Sequence, residues 1–430
     1  MSKLDLSRHP CFNKKAKGGC GRIHLPVAPK CNIQCNFCNR KYDCVNESRP
    51  GVTSAVLTPV QAVEYLKEVQ RLEGSLTVAG IAGPGDPMAN APQTLETIAR
   101  VRSEFPDLLL CLSSNGLNLP DHVTELKKLG VTHATVTVNA IDPETGKDIY
   151  AWVRDSKVAY QGREAASLLW SRQKEAILKL RENGILVKMN SIVLPGINDH
   201  HIQDIAEKAG EMDVSLLNCI PVHPSPGARF ENIDEPDKAF IDSLRKKASQ
   251  HVPQMTHCRR CRADAVGLLD RDRSLELAPV MRDVAARPVI PDDSEKRPHV
   301  AVATREGMLV NQHLGHAEKF QIWTRSNGDY KLVESRQAPE AGGGLQRWHE
   351  MARVLQDCRA VIISAVGDTP RTVLEKSGMV VLEMEGLIEE GLDAAYKGTD
   401  VSGLRPVKTK SCSGGDSWRL RIRVGGDFFK

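Results

Sequence analysis

The chain has 430 residues, 41% of them hydrophobic and 26% charged, with a net charge of +4; this is the composition of a soluble globular protein with room for two or three cores. Its basic residues are dispersed, which excludes a nucleic-acid footprint, and no run approaches the roughly 20 apolar residues that span a bilayer. The opening MSKLDLSRHPCFNKKAKGGC lacks the apolar core of a signal peptide, so the expected location is the cytoplasm, with no nucleic-acid and no membrane partner.

Taken in chain order, the first 225 residues alternate strand-like and helical patterns. RIHLPVA (22–28), LTVAGIA (76–82), LLLCLSS (108–114), HATVTVN (133–139), LVKMNSIVL (186–194) and VSLLNCIPV (214–222) read as strands. Helical periodicity runs through 58–72, 92–104, 120–130, 163–183 and 199–212, with a last helix at 236–250. Such alternation implies parallel strands joined by crossover helices. Six units without a Gly-x-Gly-x-x-Gly opening predict an incomplete α/β barrel, a partial (β/α)6, rather than a dinucleotide-binding sheet. The Pro- and charge-rich stretch 281–298 reads as a linker after a first domain of residues 1–280. Strands at 299–304, 320–325, 329–335, 359–366 and 379–384, with helices at 345–357, 370–378 and 387–398, predict a second α/β domain over 299–400. Residues 401–430, rich in Gly, Ser and Arg, read as a flexible tail.

Twelve cysteines need a reason, and their positions supply one. Cys11, Cys20, Cys31, Cys35, Cys38 and Cys44 crowd the first 44 residues, and Cys258 and Cys261 form a C-x2-C pair. In a reducing compartment such clusters point to metal rather than to disulfides. Cys111, Cys219 and Cys358 lie in apolar runs and read as small buried hydrophobes, while Cys412 lies in the tail. Cys31, Cys35 and Cys38 stand in a C-x3-C-x2-C loop directly after the first strand. Three thiolates can hold a four-iron cube and leave one iron open. A zinc knuckle is the alternative; it would take a fourth ligand, for which Cys44 and Cys20 stand near.

CNIQCNFC, with Phe37 just before the third cysteine, resembles the signature of the radical S-adenosylmethionine (SAM) superfamily. In that superfamily the open iron chelates SAM, and one electron from the cluster cleaves it to methionine and a 5′-deoxyadenosyl radical. The resemblance covers roughly residues 20–225 and implies a catalytic role for Cys31, Cys35 and Cys38. It also places the site at the carboxy ends of the strands, where barrel enzymes keep their chemistry. GPGDP, after the second strand, stands where the superfamily has a Gly-Gly-Glu-type motif, which gives Gly83, Gly85 and Asp86 as SAM contacts; glycines there let backbone approach a ligand. Ser114 and Asn115 end the third strand, Thr135, Thr137 and Asn139 share a face of the fourth, and Asn190 and Ile192 stand on the fifth. With Phe37, these complete the expected contact set, although each polar residue alone is also a strand-end cap.

The remaining Cys11, Cys20, Cys44, Cys258 and Cys261 flank the same mouth in sequence terms. Five thiolates and one histidine would hold two further four-iron clusters through three ligands each; His24 is the histidine nearest the loop, with His9 and His257 as alternatives. In H-C-R-R-C-R (257–262) the cysteines sit beside cations that favour thiolate. HPCF, GGCGRIHLPVAPKCNIQCNFCNRKYDCVNESRPGV, GPGDP and HCRRCRADAVG resemble the NifB family of nitrogenase cofactor maturases. NQHLGHAEKF (311–320) resembles the NifX-like cofactor-binding family, an RNase-H-like α/β fold. The resemblance reaches to about residue 400. It implies fusion of two auxiliary [4Fe–4S] clusters into an eight-iron, carbide-containing precursor, with SAM as methyl and radical source. It further implies three clusters in all, scaffold and carrier partners of the NifEN and NifX type, and an electron donor such as a ferredoxin. His313 and His316 either contact the product cluster or pack a turn. The competing readings are a peptide-modifying radical SAM enzyme and an electron-transfer or cluster-carrier protein. GPGDP and the strand-end polar set argue against a carrier, which needs no SAM pocket.

Overall fold

The structure is a computed structural model that describes residues 4–46, 51–287, 296–326, 328–399 and 404. The expected tail (apart from Leu404), Cys412 within it, and residues 288–295 of the expected linker lie outside the described residues. The chain forms two compact units, Met1–Val289 and Ile290–Lys430.

In the first unit, β1 (Gly21–His24) leads into a loop that carries the short β2 (Ile33–Cys35), and α1 (Pro59–Leu72) returns to β3 (Leu76–Ile81). Then follow α2 (Ala91–Glu104), β4 (Leu109–Ser114), α3 (Val123–Lys128) and β5 (Val131–Thr137). An insertion of α4 (Pro143–Ile149) and the hairpin β6 (Tyr150–Asp155) and β7 (Val158–Tyr160) precedes α5 (Gly162–Glu182). The series ends with β8 (Leu186–Val193), α6 (Ile202–Glu211), β9 (Leu216–Pro221), α7 (Lys238–Ala248), β10 (Val266–Leu268), β11 (Arg271–Asp272) and α8 (Ser274–Ala286).

The main sheet runs β11-β10-β1-β3-β4-β5-β8-β9. From β1 to β9 every pairing is parallel, which is the six-strand series read from the sequence. These strands are buried on both faces, as parallel strands covered by helices must be. Inward residues from both ends of the series line one lumen, among them Arg22, Cys111, Lys188 and Asn218, so the sheet curls into a half-barrel. β1 stops at His24, short of the expected strand 22–28, because Pro26 and Pro29 have no N–H for the ladder. On its outer edge β1 pairs antiparallel with β10, Arg22 opposite Gly267 and Ile23 opposite Val266. β2, β6 and β7 form a separate three-stranded sheet. α8 occupies residues 281–286 of the expected linker: Leu277, Met281 and Val284 make an apolar stripe packed on the core, which the charged composition and Pro279 concealed.

The second unit contains β12 (His299–Val302), β13 (Leu309–Val310), β14 (Lys319–Ser326), β15 (Asp329–Gln337), α9 (Leu345–Val354) and β16 (Cys358–Ile363). It ends with α10 (Asp368–Lys376), β17 (Val380–Glu383), β18 (Gly386–Leu387) and α11 (Ile388–Lys397). Its five-stranded sheet has the order β15-β14-β12-β16-β17, with an apolar cluster on each face.

One stitch in the first unit fixes the cysteine loop to the barrel. After β3 the turn Gly83–Pro87 lies against Ala28–Lys30: Gly85 N donates to Ala28 O at 2.6 Å and Asp86 N to Lys30 O at 2.8 Å. A Cβ on Gly85 would stand 2.2 Å from the Lys30 carbonyl oxygen, so only glycine fits. Gly85→Ala is expected to cost about 3 kcal/mol through overpacking, read as a lowered urea midpoint of the full chain. An unchanged midpoint would mean that the two turns separate freely.

Candidate functional site

Residues 31–38 are pinned to the insertion before their sulfurs are aimed. Ile33, Gln34 and Cys35 pair with Val153, Trp152 and Tyr150 of β6. Asn36 donates from its backbone N to Ile149 O (2.8 Å) and from Nδ2 to Asp148 O (2.7 Å). Gln34 Nε2 reaches back to the carbonyls of Cys35 (3.0 Å) and Cys38 (2.7 Å). Phe37 and Ile192, expected as SAM contacts, are buried in the apolar cluster around this loop with Ile149, Leu169 and Leu194. Cys31, Cys35 and Cys38, joined by Cys44, line a cavity of about 360 Å3 together with Asp86 and Asn115. Burial pushes these thiols up: Cys31 to about 11, with the Asp86 charge adding to it, and Cys35 and Cys38 above the usual thiol range. Among the described residues no three His, Cys, Asp or Glu side chains converge as a single-ion site.

Asp86 is fully engaged by the protein. Its carboxylate accepts from Met88 N (2.9 Å), Ala89 N (3.2 Å), Ser114 Oγ (3.1 Å) and Asn115 N (2.6 Å), tying the end of β3 to the end of β4. It caps the helical turn at Pro87 and spends Ser114 as its partner, while burial still holds its carboxyl above the usual range. Asn115 turns its side chain to the loop instead, donating to Asn32 Oδ1 at 2.7 Å and toward Cys31 Sγ at 3.7 Å. Gln173, buried on α5, clamps the two strand ends by donating to Asn115 O (2.9 Å) and Thr137 O (2.8 Å).

A chain of buried amides runs across the mouth. Asn218 Nδ2 donates to Asn190 Oδ1 (3.2 Å), Asn190 Nδ2 to Asn46 O (3.3 Å) and Asn139 Nδ2 to Asn46 Oδ1 (3.2 Å). Asn139 Oδ1 also accepts from Ile192 N at 2.8 Å. Asn46 Nδ2 points at two sulfurs, Cys35 Sγ (3.6 Å) and Cys44 Sγ (3.8 Å). Sequence reasoning found Asn139 and Asn190 but missed Asn46 and Asn218. The available signal was an asparagine two residues beyond Cys44 and another inside a buried strand.

Behind this network lies the barrel lumen, a cavity of about 780 Å3 lined by His9, Cys11, Arg22, His24, Cys111, Lys188, Cys258 and Cys261. Asn46 and Ser113 line both cavities. The expected ligands Cys11, His24, Cys258 and Cys261 are therefore brought together, with Cys44 on the neighbouring side of the wall. Cys20 is not among the residues lining either cavity; it stands at the amino end of β1, away from the loop that follows the strand. Cys111, read from the sequence as a buried small hydrophobe, lines the lumen beside His24 instead. A Cβ on Gly80 would lie 2.8 Å from Cys111 Sγ and 3.4 Å from His24 Cδ2, so the missing side chain makes room for both. Cys219 and Cys358 are buried as expected.

The lumen's chemistry suits soft metal ligands. His24 Nδ1 lies 3.0 Å from Arg262 O; a carbonyl can only accept, so Nδ1 carries the proton and Nε2 the lone pair. That orientation by a backbone carbonyl is the usual support of a ligating histidine. Burial, with Arg22 adding, lowers His24 to about 4, so it is neutral at pH 7. Burial raises Cys11 to about 11, and the neighbouring Cys261 and Cys258 add to the rise. Arg22, itself buried, donates from Nη2 to Cys261 Sγ at 3.2 Å. The four thiols, one neutral imidazole and Cys44 at the wall are a donor set that iron–sulfur clusters use. In the second unit, His313 Nδ1 accepts from Gly315 N (2.9 Å) and caps the turn Leu314–His316, with the His316 ring centroid 5.3 Å away.

Because burial holds Cys11, Cys31, Cys35 and Cys38 above the usual thiol range, each of these that becomes a ligand must release a proton. Iron loading is expected to tighten as pH rises from about 7 to 9, with base consumed for each thiolate formed. His24, neutral above about 4, adds no proton to that balance. Titration at constant pH checks this, and pH-independent loading would mean that the thiolates exist beforehand.

Residues 25–209 match the radical SAM superfamily, and residues 296–398 match the dinitrogenase iron-molybdenum cofactor family. The FeMo cofactor biosynthesis protein NifB of Chlorobaculum tepidum is 46% identical over 96% of this chain and 98% of its own length. The NifB of Klebsiella pneumoniae is 38% identical over 86% of each chain, and that of Azotobacter vinelandii 34% identical over 93% of this chain and 90% of its own. Among solved structures, the FeFe-hydrogenase maturase HydG from Carboxydothermus hydrogenoformans is similar with a TM-score of 0.40, at 16% identity over 54% of this chain and 52% of that one. With relatives of such identity spanning nearly its whole length, and with a radical SAM half-barrel built around two thiol-lined cavities, this chain belongs to the NifB family of FeMo cofactor biosynthesis proteins.

Proposed function

We propose that this enzyme fuses two four-iron clusters, held as substrates in the lumen, into an eight-iron carbide-containing precursor, with SAM as both methyl and radical source. The observation that carries the reading is the shared wall: the cysteine-loop cavity and the thiol-lined lumen meet at Asn46 and Ser113. Cys31, Cys35 and Cys38 would hold the cluster whose open iron supplies the electron for SAM cleavage. Cys11, Cys258 and Cys261 form one ligand set for a substrate cluster. His24 and Cys111, with Cys44 at the wall, form the second, so Cys111 replaces Cys20 in the ligand set expected from the sequence.

The chain's own residues orient and exclude. Gln34 and Asn36 hold the loop backbone, and Asp86 with Gln173 fixes the ends of β3, β4 and β5 at the mouth. Gly83, Gly85, Asp86, Ser114, Asn115, Thr137, Asn139 and Asn190 would frame SAM, Asp86 by shaping the turn and Asn115 and Asn139 by presenting amides. Apolar packing around Phe37 and Ile192 keeps water from the loop. The product would pass to NifEN- or NifX-type partners, with a ferredoxin-like donor supplying electrons in the cytoplasm, where thiols stay reduced. Among the described residues no helix is long and apolar enough to cross a membrane.

Anaerobic reconstitution should give about twelve irons per chain, from three four-iron cubes. Cys111→Ala is expected to lose about four of them, while Cys20→Ala keeps the full set. Formation of 5′-deoxyadenosine should depend on Cys31, Cys35 and Cys38. Four irons in the unaltered chain, with no SAM cleavage, would sink the reading. Each unit has its own apolar core, so deleting residues 299–430 should leave SAM cleavage largely intact; its loss would show that the second unit completes the site.

A further inference from the structure

His9 lies two residues before Cys11, is 2% exposed, and lines the lumen with Cys11, Cys258 and Cys261. Its Nδ1 accepts the backbone N–H of Cys11 at 3.2 Å. A nitrogen that accepts an N–H holds a lone pair, so the ring is neutral and its proton sits on Nε2. Among the described residues that Nε2 is buried without a hydrogen-bond partner. The ring is not free to turn away: it packs on Phe12 and His133, with centroids 4.8 and 4.4 Å apart. His24 is the opposite tautomer, with its proton spent on Arg262 O and its lone pair on Nε2.

We propose that His9 is a hydrogen-bond donor to sulfur of the cluster held by Cys11, Cys258 and Cys261, and not one of its ligands. This rests on the auxiliary-cluster reading above. A buried N–H without an acceptor is costly, and a cluster's sulfurs are the acceptors this lumen would offer once filled. The protein already uses such a contact there, from Arg22 Nη2 to Cys261 Sγ at 3.2 Å, and Arg22 Nε is a second buried donor without a partner among the described residues. N–H donors at the sulfurs favour the more negatively charged, reduced cluster, which is one of the protein's means of setting its potential. His9 is thus a positioning and tuning residue, and His24 the ligand.

The test uses the full chain reconstituted anaerobically with iron and sulfide, comparing His9→Phe and His9→Gln with the unaltered protein. Phenylalanine keeps the ring stack and removes both nitrogens. Glutamine restores an acceptor for Cys11 N and an N–H donor. Iron per chain and the reduced fraction of the lumen clusters by electron paramagnetic resonance, at one fixed potential, are the readouts. His9→Phe should retain its iron but show a roughly tenfold lower ratio of reduced to oxidised cluster, and His9→Gln should recover most of it. Loss of one cluster's iron in His9→Phe would make His9 a ligand and overturn the proposal. So would a reduced fraction equal to that of the unaltered protein, or a His9→Gln variant no better than His9→Phe. Iron uptake unaffected by Cys11→Ala, Cys258→Ala and Cys261→Ala together would instead overturn the auxiliary-cluster reading itself.

Discussion

A half-barrel leaves the outer edge of its first strand unpaired, and the use made of that edge decides most of what this enzyme is. An open strand edge is normally a liability to be covered. Here β10 covers it antiparallel, and the C-x2-C segment directly before β10 is carried to the lumen with it. The fastening is Arg22, a buried guanidinium whose Nη1 donates to Gly267 O and Leu268 O and whose Nη2 donates to Asp272 and Cys261. One cation thus satisfies the turn carbonyls, pairs with a carboxylate and faces a thiol. A lysine has neither the reach nor the fixed fork for four such partners.

The mouth is built from neutral amides where charges might be expected. Asn46, Asn115, Asn139, Asn190, Asn218 and Gln173 are all buried, and they link strands β4, β5, β8 and β9 to the cysteine loop and α5. In a low-dielectric site lined with cysteine sulfur, an amide donates to sulfur without the desolvation cost of an ion. The buried carboxylate of Asp86 at the mouth accepts backbone and hydroxyl hydrogens on both oxygens and serves as a strap.

The six parallel strands, their helices and the second α/β unit were legible because periodicity and breaker residues report them directly. The cysteine loop was legible because its ligands are local. What could not be read is which way a residue faces in a strand buried on both sides: LLLCLSS shows no alternation, so Cys111 looked like filler although it points into the lumen. Cys20 shows the converse: nearness in sequence to the loop says nothing about which end of β1 a residue occupies, and Cys20 is not among the residues lining either cavity. The insertion α4-β6-β7 had a usable signal in Asp142-Pro143, where the Asp142 side chain caps Thr145 N. Histidine tautomers depend on which backbone group each ring nitrogen meets, Arg262 O for His24 and Cys11 N for His9, and a motif does not say which atom of its backbone faces a ring.

The residues lining the two cavities differ in how they are spread along the chain. Cys31, Cys35 and Cys38 fall within eight residues, whereas Cys11, His24, Cys111, Cys258 and Cys261 span almost the whole first unit. On a growing polypeptide the loop is complete early, but the lumen set cannot close until Cys261 has left the ribosome and β10 has docked on β1. Before that moment the dispersed thiols are separate and without a shared cavity. Order of synthesis alone would therefore complete the cysteine loop before the lumen can close.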